Sequence, residues 1–201
     1  MRLPVIKPDE MTERQQEISA RIAGRRGAVR GPFQVWLQSP ELCERVEALG
    51  AFVRFESSLP LRLRELSLLL AARHWDAQYS WNAHVDKAIE AGISAAAVQA
   101  IAERREPEFA DPADDAFYRF CRELLDDHFV SEETFEAARA HFGAEGLVDA
   151  VGSLGNFSML GMCLNAFQVD LQPDRVPPFP DVRGYGRAAV REEQGHDGHR
   201  G

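Results

Sequence analysis

The fold is decided by Leu61-Arg-Leu-Arg-Glu-Leu-Ser-Leu-Leu-Leu-Ala-Ala-Arg-His74, which runs directly into Trp75-Asp-Ala-Gln-Tyr-Ser-Trp-Asn-Ala-His-Val-Asp-Lys-Ala-Ile-Glu-Ala-Gly92. Pro60 opens the first part, and Leu61, Leu63, Leu66, Leu68, Leu69 and Leu70 cover nearly every side of a helix in its second half. A helix that is apolar all round belongs at the centre of a bundle. From Asp76 or Ala77 a second helix runs to Gly92, a residue suited to the left-handed position after a helix end. The two pair naturally as an antiparallel hairpin. On the second, Ala77, Ser80, Trp81 and His84 recur at helical spacing, so they share a face that should look inward.

Outward from this hairpin the chain reads as further helices, with hardly any alternation of β-branched residues. Thr12-Glu-Arg-Gln15 has capping-box spacing and opens a helix that Gly24 can close. Pro32-Phe-Gln-Val-Trp-Leu37 is a short apolar segment, and Ser39-Pro40 then starts a helix with the stripe Leu42, Val46, Leu49, Phe52 and Val53, broken at Ser57-Ser58. Ser94 caps a helix through Val98 and Ile101, Pro112 begins one that turns Phe117, Phe120, Cys121 and Leu124 inward, and Ser131 caps another ending at Gly143. The last, from about Glu145 to Phe167, holds Gly152, Gly155 and Gly161, residues that serve close helix approach or leave room beside a ligand. The expectation is an all-α bundle of about eight helices over residues 1–172. A Pro/Gly-rich polar tail over 173–201 has too little apolar matter to offset its ordering entropy, so most of it is expected to be disordered or wrapped on a neighbour.

With 201 residues, 45% hydrophobic and 27% charged, the chain has the composition of one globular domain. Its longest apolar run, Leu66 to Ala72, stops at Arg73, far short of a membrane span. Met1 to Glu10 lacks the pattern of a secretory signal, so a cytoplasmic location is expected. A net charge of −9 disfavours nucleic acid, and the only basic stretch, Arg21 to Arg30, is short and free of aromatic residues. Cys43, Cys121 and Cys163 are too few and too far apart for a disulfide framework or a metal cluster, and read as buried thiols.

Four of the six histidines have ordinary explanations: His128 and His141 near helix ends, His196 and His199 in the tail. His84 differs, because a histidine on an inward face near Glu65 supplies an imidazole and a carboxylate to orient it, the materials of proton transfer. A hydrogen-bonded core histidine is the plainer reading of the same residues. Ser80 four residues before His84 has no nucleophile-elbow context, so hydrolysis is disfavoured. Glu65, His74 and His84 are too few for a metal site.

The hairpin resembles the core of the carboxymuconolactone decarboxylase family, within the AhpD-like superfamily. Arg30-Gly-Pro-Phe-Gln-Val-Trp-Leu-Gln-Ser-Pro40 and Gly155-Asn-Phe-Ser-Met-Leu-Gly-Met-Cys-Leu-Asn-Ala-Phe167 extend the resemblance to roughly residues 10 to 172. It implies an AhpD-like helical bundle that assembles as a trimer or hexamer. AhpD-type disulfide reductases carry two cysteines where this chain has Ala77 and Ser80, so thiol peroxidase activity is not expected. Many cysteine-free relatives carry a glutamate at the Ser80 position, which leaves Glu65 as the nearby acid. The implied reaction is cofactor-free loss of carbon dioxide from a carboxylated unsaturated lactone in aromatic catabolism, with a non-catalytic ligand-binding member as the alternative. In that frame His84 moves the proton, Glu65 orients it, and Tyr79, Ser80, Trp81 and His74 shape the pocket. Arg73 or Arg30 holds the anionic substrate.

Overall fold

In the computed structural model, residues 1–182 are described. They form eight α-helices with no strand among the described residues: α1 (Glu13–Arg26), α2 (Pro32–Trp36), α3 (Pro40–Ala51), α4 (Leu61–His74), α5 (Gln78–Glu90), α6 (Ala95–Ala102), α7 (Pro112–Asp126) and α8 (Glu132–Phe167). A π-helical turn, Phe52–Glu56, extends α3. The all-α bundle expected from periodicity is the one observed.

α4 is the hub, packing against α5, α7 and α8. Its residues from Leu63 to Arg73 are buried with the exception of Arg64, and Ser67 meets Ser153 of α8 through a 2.7 Å hydroxyl contact. One core cluster surrounds Leu66, Leu69, Phe117 and Leu154. A second gathers Ile18, Ile22, Trp36, Cys43 and Leu164 beneath α1, α2 and α3. The boundary between these clusters holds the cavity described below.

Capping residues behave as expected at three helix starts: Thr12, Ser94 and Ser131 each accept the backbone N–H three residues on. Other expectations shift. α1 runs past Gly24 to Arg26 because Gly27, at φ 79°, takes the left-handed cap. The stripe expected on α3 divides: Val46 and Val53 face inward with Cys43, Glu47 and Gly50, while Leu42, Leu49 and Phe52 are exposed. α8 is interrupted at Gly143, whose φ of 62° and ψ of −174° mark the expected junction between two helices. Of the three glycines singled out in its later part, Gly161 sits at a close approach, where an added Cβ would lie 2.9 Å from Trp75 Cβ, while Gly152 and Gly155 face open space.

α8 is long and apolar enough to span a bilayer, but 56% of the qualifying window is buried against its own chain, as in a core helix. Residues 173–182, which composition placed in the tail, pack on the bundle. Phe179 is fully buried against Trp81, Asn82 Nδ2 donates to Val176 O, and Arg73 pairs with Asp181. The rest of the expected tail, with His196 and His199, lies outside the described residues.

Candidate active site

The α4–α5 hairpin brings Glu65 and His84 together: His84 Nδ1 lies 2.7 Å from Glu65 Oε2, with both side chains largely buried. Burial pushes the Glu65 carboxyl up, but its hydrogen bond with His84 and the nearby charges of His84, Arg54 and Lys87 outweigh this and hold it ionised below its usual range. Burial lowers the His84 pKa below its usual value of 6.5, more than Glu65 raises it, and Lys87 and Arg54 add to the lowering. The resting pair is therefore a carboxylate and a neutral imidazole that donates Nδ1–H. This tautomer leaves Nε2 as the ring nitrogen able to accept a proton.

His84 borders a cavity of about 390 Å³. α2 supplies Pro32, Phe33 and Trp36, α5 supplies Tyr79, Ser80 and Ala83, and α8 supplies Asn156, Phe157 and Leu160. Its ionisable lining, besides His84 and Tyr79, consists of Arg26, Arg30, Arg54, Lys87 and Arg175, with no carboxylate among the described lining residues. In a chain of net charge −9 this is a local reversal of sign. Arg30, Lys87 and Arg175 are exposed, whereas Arg26 and Arg54 are half-buried.

Local backbone explains part of the wall. Gly31, at φ 59°, precedes Pro32 at the start of α2, and a Cβ there would lie 2.6 Å from the Tyr79 ring. Only glycine lets the phenol lie against this turn. The π turn after α3 carries Arg54 to the cavity, a position that an unbroken helical count does not single out.

Several expected site residues lie elsewhere. Arg73 is buried on the far side of the hairpin, paired with Asp76 and Asp181 and stacked 4.2 Å from the Phe179 ring, so its charge is already satisfied. His74 faces Asp126 at 3.3 Å, outside the cavity. Trp81 is a core residue packed on Phe179 and does not line the His84 cavity. The inward face drawn through Ala77, Ser80, Trp81 and His84 thus divides: Ala77 and Trp81 enter the core, while Ser80 and His84 border the cavity with Lys87. Lys87 continues the Ser80, His84 spacing, so this cation was visible in the sequence. Arg26, Arg54, Asn156 and Arg175 come from distant segments, and no local spacing points to them.

The three cysteines are buried, and burial raises each thiol, Cys43 and Cys163 to about 11. None has the accessible low-pKa thiolate that disulfide exchange requires. Ala77 and Ser80, near His84 in the hairpin, carry no thiol. No group of three or more metal-ligating side chains is found among the described residues.

Residues 40–123 match the model of the carboxymuconolactone decarboxylase family. No curated protein sequence matches the chain. Among solved structures, a peroxidase-related protein with an alkylhydroperoxidase AhpD core from Ralstonia eutropha JMP134 superposes with a TM-score of 0.72 at 18% identity, covering 86% of this chain and 93% of its own. A peroxidase-related protein from Silicibacter sp. TM1040 gives 0.66 at 16% identity, covering 87% and 92%. A cysteine-to-alanine variant of the debrominase Bmp8, in complex with 2,3,4-tribromopyrrole, gives 0.68 at 14% identity, covering 96% and 98%. At such identities the likeness is one of fold. The match to the carboxymuconolactone decarboxylase family model is thus confined to residues 40–123, and the described chain shares the helical fold of the AhpD-core structures.

Proposed function

We propose that the chain is a cofactor-free decarboxylase of a small carboxylated lactone or keto acid of aromatic-compound catabolism, with His84 carrying the proton. One observation supports this above the others: the Glu65-bound imidazole borders a cavity whose charged lining is cationic. The cations attract and hold a carboxylate, and the apolar wall from Phe33, Trp36, Phe157 and Leu160 takes the carbon frame.

The steps follow from charge. In the ligand-free site burial and the neighbouring cations keep His84 neutral. An entering anion adds the negative charge that favours the imidazolium, so substrate binding loads Nε2 with a proton. When the carbon–carbon bond to the carboxylate breaks, carbon dioxide leaves and the electron pair delocalises into the ring or keto carbonyl. Nε2–H then delivers its proton to carbon, Glu65 having stabilised the charged ring, and solvent restores the proton for the next cycle. No redox change occurs, and the balance is one carboxylate and one proton in, one carbon dioxide and one C–H product out.

Self-association as a trimer or hexamer is part of the same proposal. It is supported by the outward-facing apolar residues Leu42, Leu49, Phe52 and Phe55, between 41% and 56% exposed, which a single chain leaves wet.

The reading is tested by a screen of lactone acids and keto acids of aromatic pathways, scored for carbon dioxide release and for a shift in melting temperature. Release from at least one, lost in His84→Ala, is expected. Melting shifts without release from any of them would instead make the chain a ligand-binding protein.

A further inference from the structure

Arg26 of α1, Gly50 of α3 and Asn156 of α8 meet in the cavity wall. Gly50 has no side chain, and the point its Cβ would occupy lies 3.4 Å from Arg26 Nη2 and 3.8 and 4.0 Å from the Asn156 Oδ1 and Nδ2. The bare glycine thus leaves an opening flanked by a guanidinium and an amide.

Both flanking groups lack the partners that buried polar groups normally have. Asn156 is 2% exposed, and neither of its amide atoms makes a hydrogen bond. Arg26 Nε and Nη2 likewise make no hydrogen bond. These two nitrogens lie on one edge of the guanidinium, the edge that grips a carboxylate with two parallel N–H···O bonds. Among the described residues the acid paired with Arg26 is Glu47, whose Oε1 stands 3.8 Å from Nε, an ion pair too long for a hydrogen bond, while its Oε2 accepts from Arg25 Nη1 at 3.4 Å. The Phe33 ring, 4.7 Å from the Arg26 guanidinium carbon, supports the guanidinium. Burial and the charge of Arg54 depress the Arg26 pKa, so the cation is incompletely compensated without a ligand.

We infer that Arg26 and Asn156 form a carboxylate-anchoring subsite, in which a ligand carboxylate accepts from Arg26 Nε and Nη2 and from Asn156 Nδ2 over the bare backbone of Gly50. The inference builds on the proposed function by naming the groups that hold the substrate. It does not depend on turnover, since a binding protein would use the same grip.

The full-length protein is titrated calorimetrically with benzoate and with its uncharged counterpart benzamide, and the Arg26 Nε–H resonance is followed by nitrogen-15 NMR. Benzoate should bind saturably, at least about 10-fold more tightly than benzamide, and should move the Arg26 Nε–H signal. Arg26→Met and Asn156→Leu should each weaken benzoate about 10- to 100-fold, with Arg26→Lys intermediate because it keeps the charge but not the fork. The distant surface variant Arg139→Met should leave binding unchanged. Equal affinity for benzoate and benzamide, an unmoved Arg26 signal, undiminished binding in both Arg26→Met and Asn156→Leu, or no saturable benzoate binding would overturn the subsite. If an Arg26→Met variant misfolds, the wild-type NMR shift and Arg26→Lys still decide. Specific benzoate binding without carbon dioxide release from any acid would sink the decarboxylase reading alone. Release at an unchanged KM in Arg26→Met would sink the subsite alone.

Discussion

The Nδ1 proton of His84 is committed to Glu65 over 2.7 Å, so the ring exchanges protons with a ligand only through Nε2. Glu65 raises the imidazole pKa against the effect of burial. Glu65→Gln should therefore lower it further, reduce turnover about 10- to 100-fold, and move the pH–rate profile toward acid. A structural role alone would leave that profile in place. The same depressed pKa sets a stability trend. On acidification the unfolded chain protonates its histidine near the usual 6.5 while folded His84 resists, so stability present above that value is lost as pH falls toward the folded pKa. Glu65, also depressed in the fold, adds loss below its usual 4.5. Melting of the ligand-free protein should drop between about pH 7 and 5, and His84→Asn should flatten the upper part of that drop. His84 and Glu65 were legible in the sequence because each stands out on an apolar helix of one hairpin. Arg26 and Asn156 were not, because they are ordinary residues on α1 and α8 that only the tertiary fold brings around Gly50.

At the scale of elements, α4 and α5 were legible for the reason that makes them central: continuous apolar cover on one and a terminal glycine on the other. Thr12, Ser94 and Ser131 fixed three further helix starts through hydrogen bonds local enough to read from spacing. Periodicity found the apolar positions of α3 but not which of them are buried, since Val46 and Val53 enter the core while Leu42, Leu49 and Phe52 stay exposed at the same helical spacing. The turn at Phe52–Glu56 likewise breaks the 3.6-residue count and hides Arg54. Two glycines of α8 now carry opposite expectations. Gly161→Ala places a methyl 2.9 Å from Trp75 Cβ and should destabilise by about 1–3 kcal/mol in urea unfolding. Gly155→Ala meets nothing within 4 Å and should stabilise by about 0.5–1 kcal/mol.

On the scale of the molecule, composition undervalued the segment after α8. Residues 173–182 contain few apolar groups, but one of them, Phe179, fills the core beside Trp81 and under Arg73. Truncation after residue 172 should therefore lower thermal stability, and Phe179→Ala alone should cost about 3–5 kcal/mol by chemical denaturation. Arg73, expected on the substrate, belongs to this clasp, so Arg73→Met should reduce stability while sparing ligand affinity. Assembly is accessible in the same way: Phe52→Glu, at the exposed start of the π turn after α3, should shift sedimentation toward smaller species if that face joins subunits. The central claim, that His84 moves the proton in a decarboxylation, is tested most directly by carbon dioxide release from a turned-over lactone acid or keto acid, wild type against His84→Ala, at matched assembly and melting temperature. A loss of at least about 100-fold is predicted; release at the wild-type rate would contradict it.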